Sequence, residues 1–163
     1  MTRSSVGMVL YSSALAANAE ISPDNYLDSF GCSGKNLRPP LAWDGVPANT
    51  KSFALTFYDE DAPTGSGFWH WVAHNLPADL RQLPSGPLPA GTIEGNTDFG
   101  VPGYYGPCPP VGRKHRYTFF LHALDVSSLE VPSNATAALI GFFIFQHTIA
   151  RASFTVLAGP RQG

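Results

Sequence analysis

The chain has 163 residues, of which 44% are apolar and 13% charged, and its formal net charge is −2. This length and composition predict one folded domain over residues 1–163 and exclude a disordered chain. The near-neutral charge argues against nucleic-acid binding, which depends on clustered basic residues, and Arg113, Lys114 and Arg116 form one local cluster. The longest apolar run, residues 137–145, is about half of the roughly 20 residues that a membrane-spanning helix needs, so we expect no transmembrane segment.

The N-terminal 20 residues allow two interpretations. Arg3, a mildly apolar stretch and the small residues at 17–19 outline a signal peptide with its cleavage site. The stretch is short, however, and polar residues at 11–13 interrupt it. Residues 6–11 instead predict the first strand of a sheet. We therefore expect a cytoplasmic protein, with a periplasmic or secreted protein as the alternative.

Four later segments have the alternation and the aromatic and β-branched residues of strands. They are residues 51–60, 68–76, 115–125 and 153–158. Segments rich in Pro and Gly separate them and are typical of turns. Short strands between such turns predict a mainly β, antiparallel fold with minor α.

One segment, residues 133–153, predicts a helix instead. Ser133 or Asn134 can serve as its N-cap, and Ala-rich helical spacing follows. Apolar residues cover most sides of this helix, so we expect part of it to be buried and part to contribute to a homodimer contact. A strand is the minor alternative. The residues predicted to share one face are Ile140, Phe143, Ile144 and His147.

The cysteines and histidines show no metal-binding pattern. Cys32 and Cys108 are too few for a disulfide framework, and the sequence leaves open whether they form one bridge. His70 and His74 have the spacing of two zinc ligands on a helix, but their segment predicts a strand. Along a strand the two rings share a face about 13 Å apart and cannot chelate one ion. We therefore expect neither a metal nor another cofactor.

Polar side chains collect at the ends of three predicted strands. Asp59 and Asp61 end one strand, His70 lies on the next, and His115 and Tyr117 begin a third. A carboxylate can accept a hydrogen bond from one nitrogen of a histidine, which leaves the other nitrogen for a ligand. The group predicts a pocket for a small anion such as a phosphate ester. Because ionised carboxylates repel phosphate, they must be saturated by donors or share a proton with the ligand.

The segment before the third strand is stiff. Gly106 allows close approach of a backbone N–H to an anion, and Pro107, Pro109 and Pro110 fix φ. Little entropy is then lost when a ligand docks. With the histidines protonated, we expect anion binding to be stronger below neutral pH.

Four stretches together resemble one known family. They are YDEDAP at 58–63, HWVAHNLPA at 70–78, the 103–125 stretch with GYYGPCPP and HRY, and NLRPPLAW through TKSFAL at 36–55. They resemble motifs of the phosphatidylethanolamine-binding proteins, also called Raf-kinase-inhibitor-like proteins. The similarity covers about residues 9–158, and the chain length is similar to that of the bacterial and archaeal branch.

The resemblance implies a fold and a site. The fold is a large central antiparallel sheet flanked by a smaller sheet and a C-terminal helix. A cis peptide bond is implied at Ala62–Pro63. The family binds phosphate-bearing head groups or phosphorylated partners, and some members inhibit kinases or proteases. The pocket residues implied here are Asp59, Asp61, His70, Pro107, Pro109, His115 and Tyr117, with Gly106 supplying backbone.

This chain departs from the family pattern at Glu60 and Arg38, which replace a proline and a serine. Glu60 makes the backbone of the YDEDAP motif less rigid than proline would. Arg38 adds a charge that either reaches an anion or is solvated. We expect a non-enzymatic binding protein for a phosphorylated small molecule, head group or side chain, acting as a kinase or protease inhibitor. One alternative is a hydrolase that uses the Asp and His residues on an ester. Another is a protein–protein module with a vestigial pocket.

Overall fold

Two antiparallel sheets and one α-helix form the framework of the computed structural model, which describes residues 7–162. The elements in chain order are β1 (Val9–Tyr11), β2 (Leu41–Asp44), β3 (Ser52–Asp59), β4 (Phe68–Pro77), β5 (Gln82–Leu83), β6 (Ile93–Glu94), β7 (His115–Leu124), α1 (Ala137–His147) and β8 (Thr148–Ala158). The larger sheet has the spatial order β6-β4-β3-β7-β8, and the smaller sheet β1-β2-β5. The predicted mainly β fold, with a smaller sheet and a C-terminal helix, is confirmed.

The large sheet lies between two apolar layers. On one face Phe53, Phe57 and Trp71 pack with Trp43 of the small sheet. On the other face Ala54 and Val72 pack against α1. Since β3 is central and covered on both faces, nearly all its residues are buried, which explains the apolar content of its sequence.

The helix is shorter than the sequence predicts at both ends. It begins at Ala137 because the Thr136 side chain caps it by accepting the N–H of Leu139, so the N-cap is neither Ser133 nor Asn134. After His147 the chain enters β8, which pairs with β7 along its whole length. Residues 148–153 are therefore strand, because cross-strand pairing outweighs their local helix preference.

The predicted helix face agrees in part with the structure. Ile140 and Ile144 are buried against the sheet, whereas Leu139, Phe142 and Phe145 are exposed. The homodimer contact at this apolar surface stays a prediction.

The N-terminal strand is also shorter than predicted. β1 covers residues 9–11, and the start of the predicted segment at residue 6 lies outside the described residues, as do the first six of the 20 residues that outline a signal peptide. No helix within residues 7–162 combines the length and the apolar character that crossing a membrane requires.

The two cysteines form a disulfide bond, which the sequence alone left open. Cys32 and Cys108 are bonded, with Cα atoms 6.0 Å apart and 76 positions between them in sequence. The bond ties the loop after the 3₁₀ turn at Pro23–Asn25 to the Pro-rich segment before β7. Since the predicted anion pocket adjoins that segment, the disulfide fixes one of its walls.

Candidate functional site

A cleft of about 340 Å³ lies at the end of the large sheet where β3 ends and β4 and β7 begin. Strand register brings its polar residues together, because Asp59 pairs with Tyr117 of β7 on one side and with Phe68 of β4 on the other. Side chains two residues apart on a strand share a face, so His115 lies beside Tyr117. Asp59, His115 and Tyr117, predicted as site residues, all line the cleft.

A β-bulge brings His70 into the same cleft. Phe57 pairs with Trp71 and Tyr58 pairs with Trp69, so His70 is an extra residue in β4. The bulge turns the His70 ring towards the same face of the sheet as the Trp71 side chain. There the centroid of the His70 ring lies 5.2 Å from the centroid of the Tyr117 ring.

The same bulge corrects the prediction that His70 and His74 share a face. Regular alternation would put the two rings on one side of the sheet, but the extra residue shifts the alternation by one. His74 lines a different cleft with Ile140 of α1. In addition, residues 7–162 contain no group of three or more His, Cys, Asp and Glu side chains placed to share a metal ion.

Asp59 and His115 form a buried pair at the base of the cleft. The Nδ1 atom of His115 lies 2.7 Å from Oδ2 of Asp59, and the two side chains are only 6% and 4% exposed. The other carboxylate oxygen accepts the backbone N–H of Asp61 at 2.9 Å. Because an ionised carboxylate only accepts, His115 carries its proton on Nδ1, and Nε2 is its second site. Each oxygen of Asp59 thus accepts a hydrogen bond within the protein, which offsets its repulsion of an anion.

His70 is held in the same way by a backbone carbonyl. Its Nδ1 donates to the carbonyl oxygen of Tyr105 at 3.0 Å. Burial lowers the pKa of His70, so the ring is neutral at pH 7 and Nε2 is a hydrogen-bond acceptor. Both histidines therefore use Nδ1 to fix their orientation and keep Nε2 for another partner.

Tyr117 supplies a phenol that stays protonated. Its side chain is almost fully buried, and burial together with the nearby charge of Asp59 raises its pKa well above the usual range. The site therefore combines a hydroxyl group with two imidazole rings and a paired carboxylate. Such a set can donate to or accept from a ligand that carries both oxygen acceptors and acidic protons.

Asp61, also predicted as a site residue, faces away from the cleft. Its carboxylate accepts three hydrogen bonds, all of them from Arg116. The donors are the backbone N–H at 2.7 Å, Nε at 3.1 Å and Nη2 at 2.8 Å. The bonds from Arg116 lower the pKa of Asp61 to about 2. The pair joins the loop after β3 to the start of β7 on the outside of the site, beside Arg113 and Lys114.

The predicted backbone role of Gly106 does not match its contacts. Its N–H donates to Oδ1 of Asn36 at 2.6 Å, and a Cβ atom there would lie 2.2 Å from the carbonyl oxygen of Asn25. Glycine is needed for this close packing and not for an approaching anion. Pro107 accepts the N–H of Leu27 through its carbonyl, and Pro109 likewise accepts Nε of Arg161. These residues support the wall of the cleft from behind.

Aromatic residues that the sequence analysis missed form the rim. Phe30, Phe68 and Phe99 line the cleft, and the ring of Phe99 packs 4.8 Å from Phe68 and 5.6 Å from Phe30. Asp98 positions Phe99, because its Oδ2 accepts the N–H of Trp69 and its own N–H donates to the Trp69 carbonyl. Phe99 is the middle residue of the Asp-Phe-Gly trio at 98–100, which is the sequence feature that could have pointed to it. The trio resembles a kinase motif by chance. The remaining lining residues are Leu27, Ala62, Pro63, Thr64, Cys108 and Pro110.

Two further expectations need correction. The cis peptide bond in the described residues is Gly159–Pro160, and Ala62–Pro63 is not cis. Arg38 neither reaches the cleft nor is solvated. It is 7% exposed, donates to the carbonyls of Pro84 and Gly86, and lies over the ring of Trp71.

Comparison with known proteins agrees with the fold. The sequence profile described as phosphatidylethanolamine-binding protein matches residues 17–158. YbhB of Escherichia coli is 46% identical over 156 residues, covering 92% of this chain and 99% of YbhB. The crystal structure of E. coli YbcL superposes with a TM-score of 0.88 at 40% identity, covering 93% of this chain and 97% of that one. A homologue from Chlamydia trachomatis gives a TM-score of 0.80 at 30% identity over 93% of this chain and 96% of its own. The chain therefore belongs to the phosphatidylethanolamine-binding protein family.

Proposed function

We propose that the cleft at Asp59 and His115 binds a small phosphorylated anion, either free or as a phospholipid head group or phosphorylated side chain. Membership of a binding-protein family supports a binding role. The observation that carries the proposal is the pair of rings, His70 and His115, each held through Nδ1 and each with Nε2 available beside the Tyr117 phenol. A phosphate monoester offers acceptor oxygens to the phenol and to protonated rings, and a P–OH group to a neutral ring.

The charge balance supports an anion that arrives with a proton. Among the cleft residues Asp59 is the one carboxylate, and its two oxygens already accept hydrogen bonds. Burial lowers the pKa of His70, so proton uptake by that ring is unfavourable until an anion compensates for the positive charge. Binding of an anion then raises the pKa of His70. By linkage, affinity rises as pH falls, and the gain continues below the usual histidine pKa of about 6.5.

The aromatic rim supports an organic phosphate over inorganic phosphate. Phe30 is 73% exposed at the mouth of the cleft, and its ring packs on Phe99. Such an exposed apolar surface is typical of a site that contacts the carbon skeleton of a ligand. Phosphorylethanolamine with its alkyl chain, or the side chain of a phosphopeptide, would contact this rim and gain affinity from it.

The function is proposed as binding and not as catalysis. Cys108, which lines the cleft, is in a disulfide and cannot act as a nucleophile. The hydroxyl of Thr64 donates to the carbonyl of Gly67. The rival is an ester hydrolase, which the buried Asp59–His115 pair favours because a carboxylate can orient a general base. Turnover of phosphate and carboxylate esters that is abolished in His115→Gln would establish the rival.

Two finer features belong to this proposal. Inhibition of a kinase or protease would follow if the anion is a phosphorylated side chain of the partner. The Cys32–Cys108 disulfide weighs against the expected cytoplasmic location, because such bonds persist mainly in oxidising compartments. We therefore propose an oxidising compartment for the binding protein. Labelling of free thiols in protein extracted from its native cells tests this, since two labelled cysteines would contradict it.

An NMR titration of the histidine rings tests the proposed ligand. Phosphorylethanolamine and inorganic phosphate are each added at pH 6 and pH 8 while the ring signals of His70 and His115 are followed. We expect saturable shifts at these two rings, larger at pH 6, with tighter binding of phosphorylethanolamine. His122 contacts Thr148 and His147 contacts Asp125, and neither histidine lines the cleft, so their ring signals serve as internal controls.

Variants separate binding at the cleft from nonspecific effects. His70→Gln removes the ring and is expected to weaken phosphorylethanolamine binding, whereas His147→Gln is expected to leave it unchanged. Absence of saturable shifts at millimolar ligand, or equal affinity of the two variants, would contradict the proposed site.

A further inference from the structure

A short loop, residues 28–33, forms part of the mouth of the first cleft, the one that holds Asp59 and His115. Within this loop Cys32 is the one buried residue, and the other five are exposed. Buried contacts are what hold a segment in one conformation, so a loop with so few of them opens locally at little cost. The bond from Cys32 to Cys108 is therefore its main attachment to the rest of the fold.

The other attachments of the loop lie at its two ends or are exposed to solvent. The N–H of Leu27 donates to the carbonyl of Pro107, and the N–H of Gly34 donates to the carbonyl of Leu27. Nη1 of Arg161 donates to the carbonyl of Gly31 at 3.2 Å in a solvent-exposed hydrogen bond. Since the two end bonds do not involve the sulfur atoms, we expect reduction of the disulfide to release the loop and leave the sheets in place.

The conformation of the loop puts a phenyl ring at the mouth. Phe30 has a φ of 56° and Gly31 a φ of 88°, so two successive residues lie in the left-handed region. A phenylalanine is unfavourable there and stays only where the surrounding structure holds it. Sγ of Cys108 lies 3.5 Å from the carbonyl oxygen of Phe30, so the disulfide packs against the residue that must be held. The Phe30 ring in turn contacts Phe99, with centroids 5.6 Å apart.

We infer that formation of the Cys32–Cys108 bond raises the affinity of the first cleft for organic phosphates by holding Phe30 at its mouth. The inference rests on the proposed phosphate site and adds its regulation. In the reduced protein the loop samples other conformations, and affinity falls with the fraction of molecules that keep Phe30 in place. Inorganic phosphate has no carbon skeleton and does not use this contact.

The switch is a two-electron thiol–disulfide exchange. The thiolate of a dithiol reductant attacks one sulfur, forms a mixed disulfide with it and releases the other protein sulfur as a thiolate. The second thiol of the reductant then displaces the first protein sulfur, so the reductant leaves as its own disulfide and its two protons end on the protein thiols. Oxidation by a disulfide donor reverses these steps. By linkage, a ligand that favours the closed loop makes the bond harder to reduce by the same factor.

The test compares oxidised protein with protein reduced by dithiothreitol, each titrated at pH 7 with phosphorylethanolamine and with inorganic phosphate. We expect reduction to weaken phosphorylethanolamine binding about three- to tenfold, as for a bound conformation kept by about a third to a tenth of the molecules, and to change phosphate binding by less than about twofold. Equal phosphorylethanolamine affinity of the two forms would overturn the inference and leave the proposed site standing. No binding by the oxidised protein would overturn the proposed site and the inference with it.

Two NMR measurements locate the change. On reduction we expect the nuclear Overhauser contacts between the rings of Phe30 and Phe99 to be lost, and the amide of Cys32 to exchange faster with solvent. The amides of the central strand β3 should keep their protection. Retained ring contacts would mean that the disulfide does not hold Phe30, and lost protection in β3 would mean that it holds the whole fold. Either result would overturn the inference.

A variant at the mouth tests whether the phenyl ring transmits the effect. Phe30→Ala should weaken phosphorylethanolamine binding by the oxidised protein to about that of reduced wild type, and reduction should then add less than about a twofold loss. Phe142→Ala, which removes an exposed ring on α1, is the matched control and should keep the full effect of reduction. An undiminished effect of reduction in Phe30→Ala would overturn the assignment to this ring.

Discussion

His70 and His74 are four residues apart in β4 and face two different clefts. Both rings are buried, both have a lowered pKa, and both use Nδ1 to bond a protein oxygen. Their surroundings differ. Beside His70 the carboxylate of Asp59 is paired with His115, whereas Nε2 of His74 is buried without a hydrogen-bond partner among the described residues.

The difference shows that the surroundings of a buried histidine decide what its free nitrogen can do. A neutral imidazole has a lone pair on Nε2 in either place. In the first cleft both carboxylate oxygens of Asp59 have a donor, so a proton taken up by a ring can be balanced by an anionic ligand. Nε2 of His74 is instead buried without a partner among the described residues. Variants at His74 should therefore leave ligand binding at the first cleft unchanged.

The largest effect is expected from Asp59→Ala. This change leaves the buried Nδ1–H of His115 without its acceptor, and breaking a buried pair costs about 3–5 kcal/mol of the free energy of unfolding. Phosphorylethanolamine binding by the folded fraction should be lost. Urea denaturation and a phosphorylethanolamine titration measure this. An unfolding midpoint equal to that of wild type would show that the pair does not stabilise the fold.

Removal of the disulfide should have the next largest effect. The double substitution Cys32→Ala and Cys108→Ala releases a loop that spans 76 positions, which is expected to cost about 2–4 kcal/mol of the free energy of unfolding. Because Cys108 lines the first cleft, phosphorylethanolamine affinity should fall as well. Urea denaturation and a phosphorylethanolamine titration measure the two losses. A loss of stability with unchanged affinity would mean that the disulfide supports the whole fold and not one wall of the cleft.

The strands that form the first cleft could be predicted because their signal is local. Alternating aromatic and β-branched residues mark β3, β4 and β7, and the polar residues at their ends follow from that pattern. The face of His70 could not be predicted, since the bulge depends on how β4 pairs with β3. The start of β8 was missed for the same reason, because pairing with β7 determines its conformation.

Contacts between distant segments explain the other differences. Gly106 donates to Asn36, 70 positions away, and Asp61 binds Arg116, 55 positions away. Neither partner can be identified from the residue itself, so both positions were interpreted as parts of the pocket. The Phe30–Phe99 contact across the mouth of the cleft likewise requires the folded chain.

The smallest effect is expected from Asp61→Asn, which tests whether Asp61 belongs to the binding site. Its partner Arg116 is more than half exposed, so the stability change at pH 7 should be much smaller than for Asp59→Ala. Because the folded pKa of Asp61 is about 2, below the unfolded value of about 3.9, its contribution is present above pH 4 and is lost as pH falls towards 2. Wild type and Asp61→Asn should therefore differ slightly in urea midpoint at pH 7 and converge near pH 2. Phosphorylethanolamine affinity should stay within about twofold of wild type, because Asp61 faces away from the cleft. A loss as large as that of His70→Gln would mean that Asp61 turns towards the ligand when it binds.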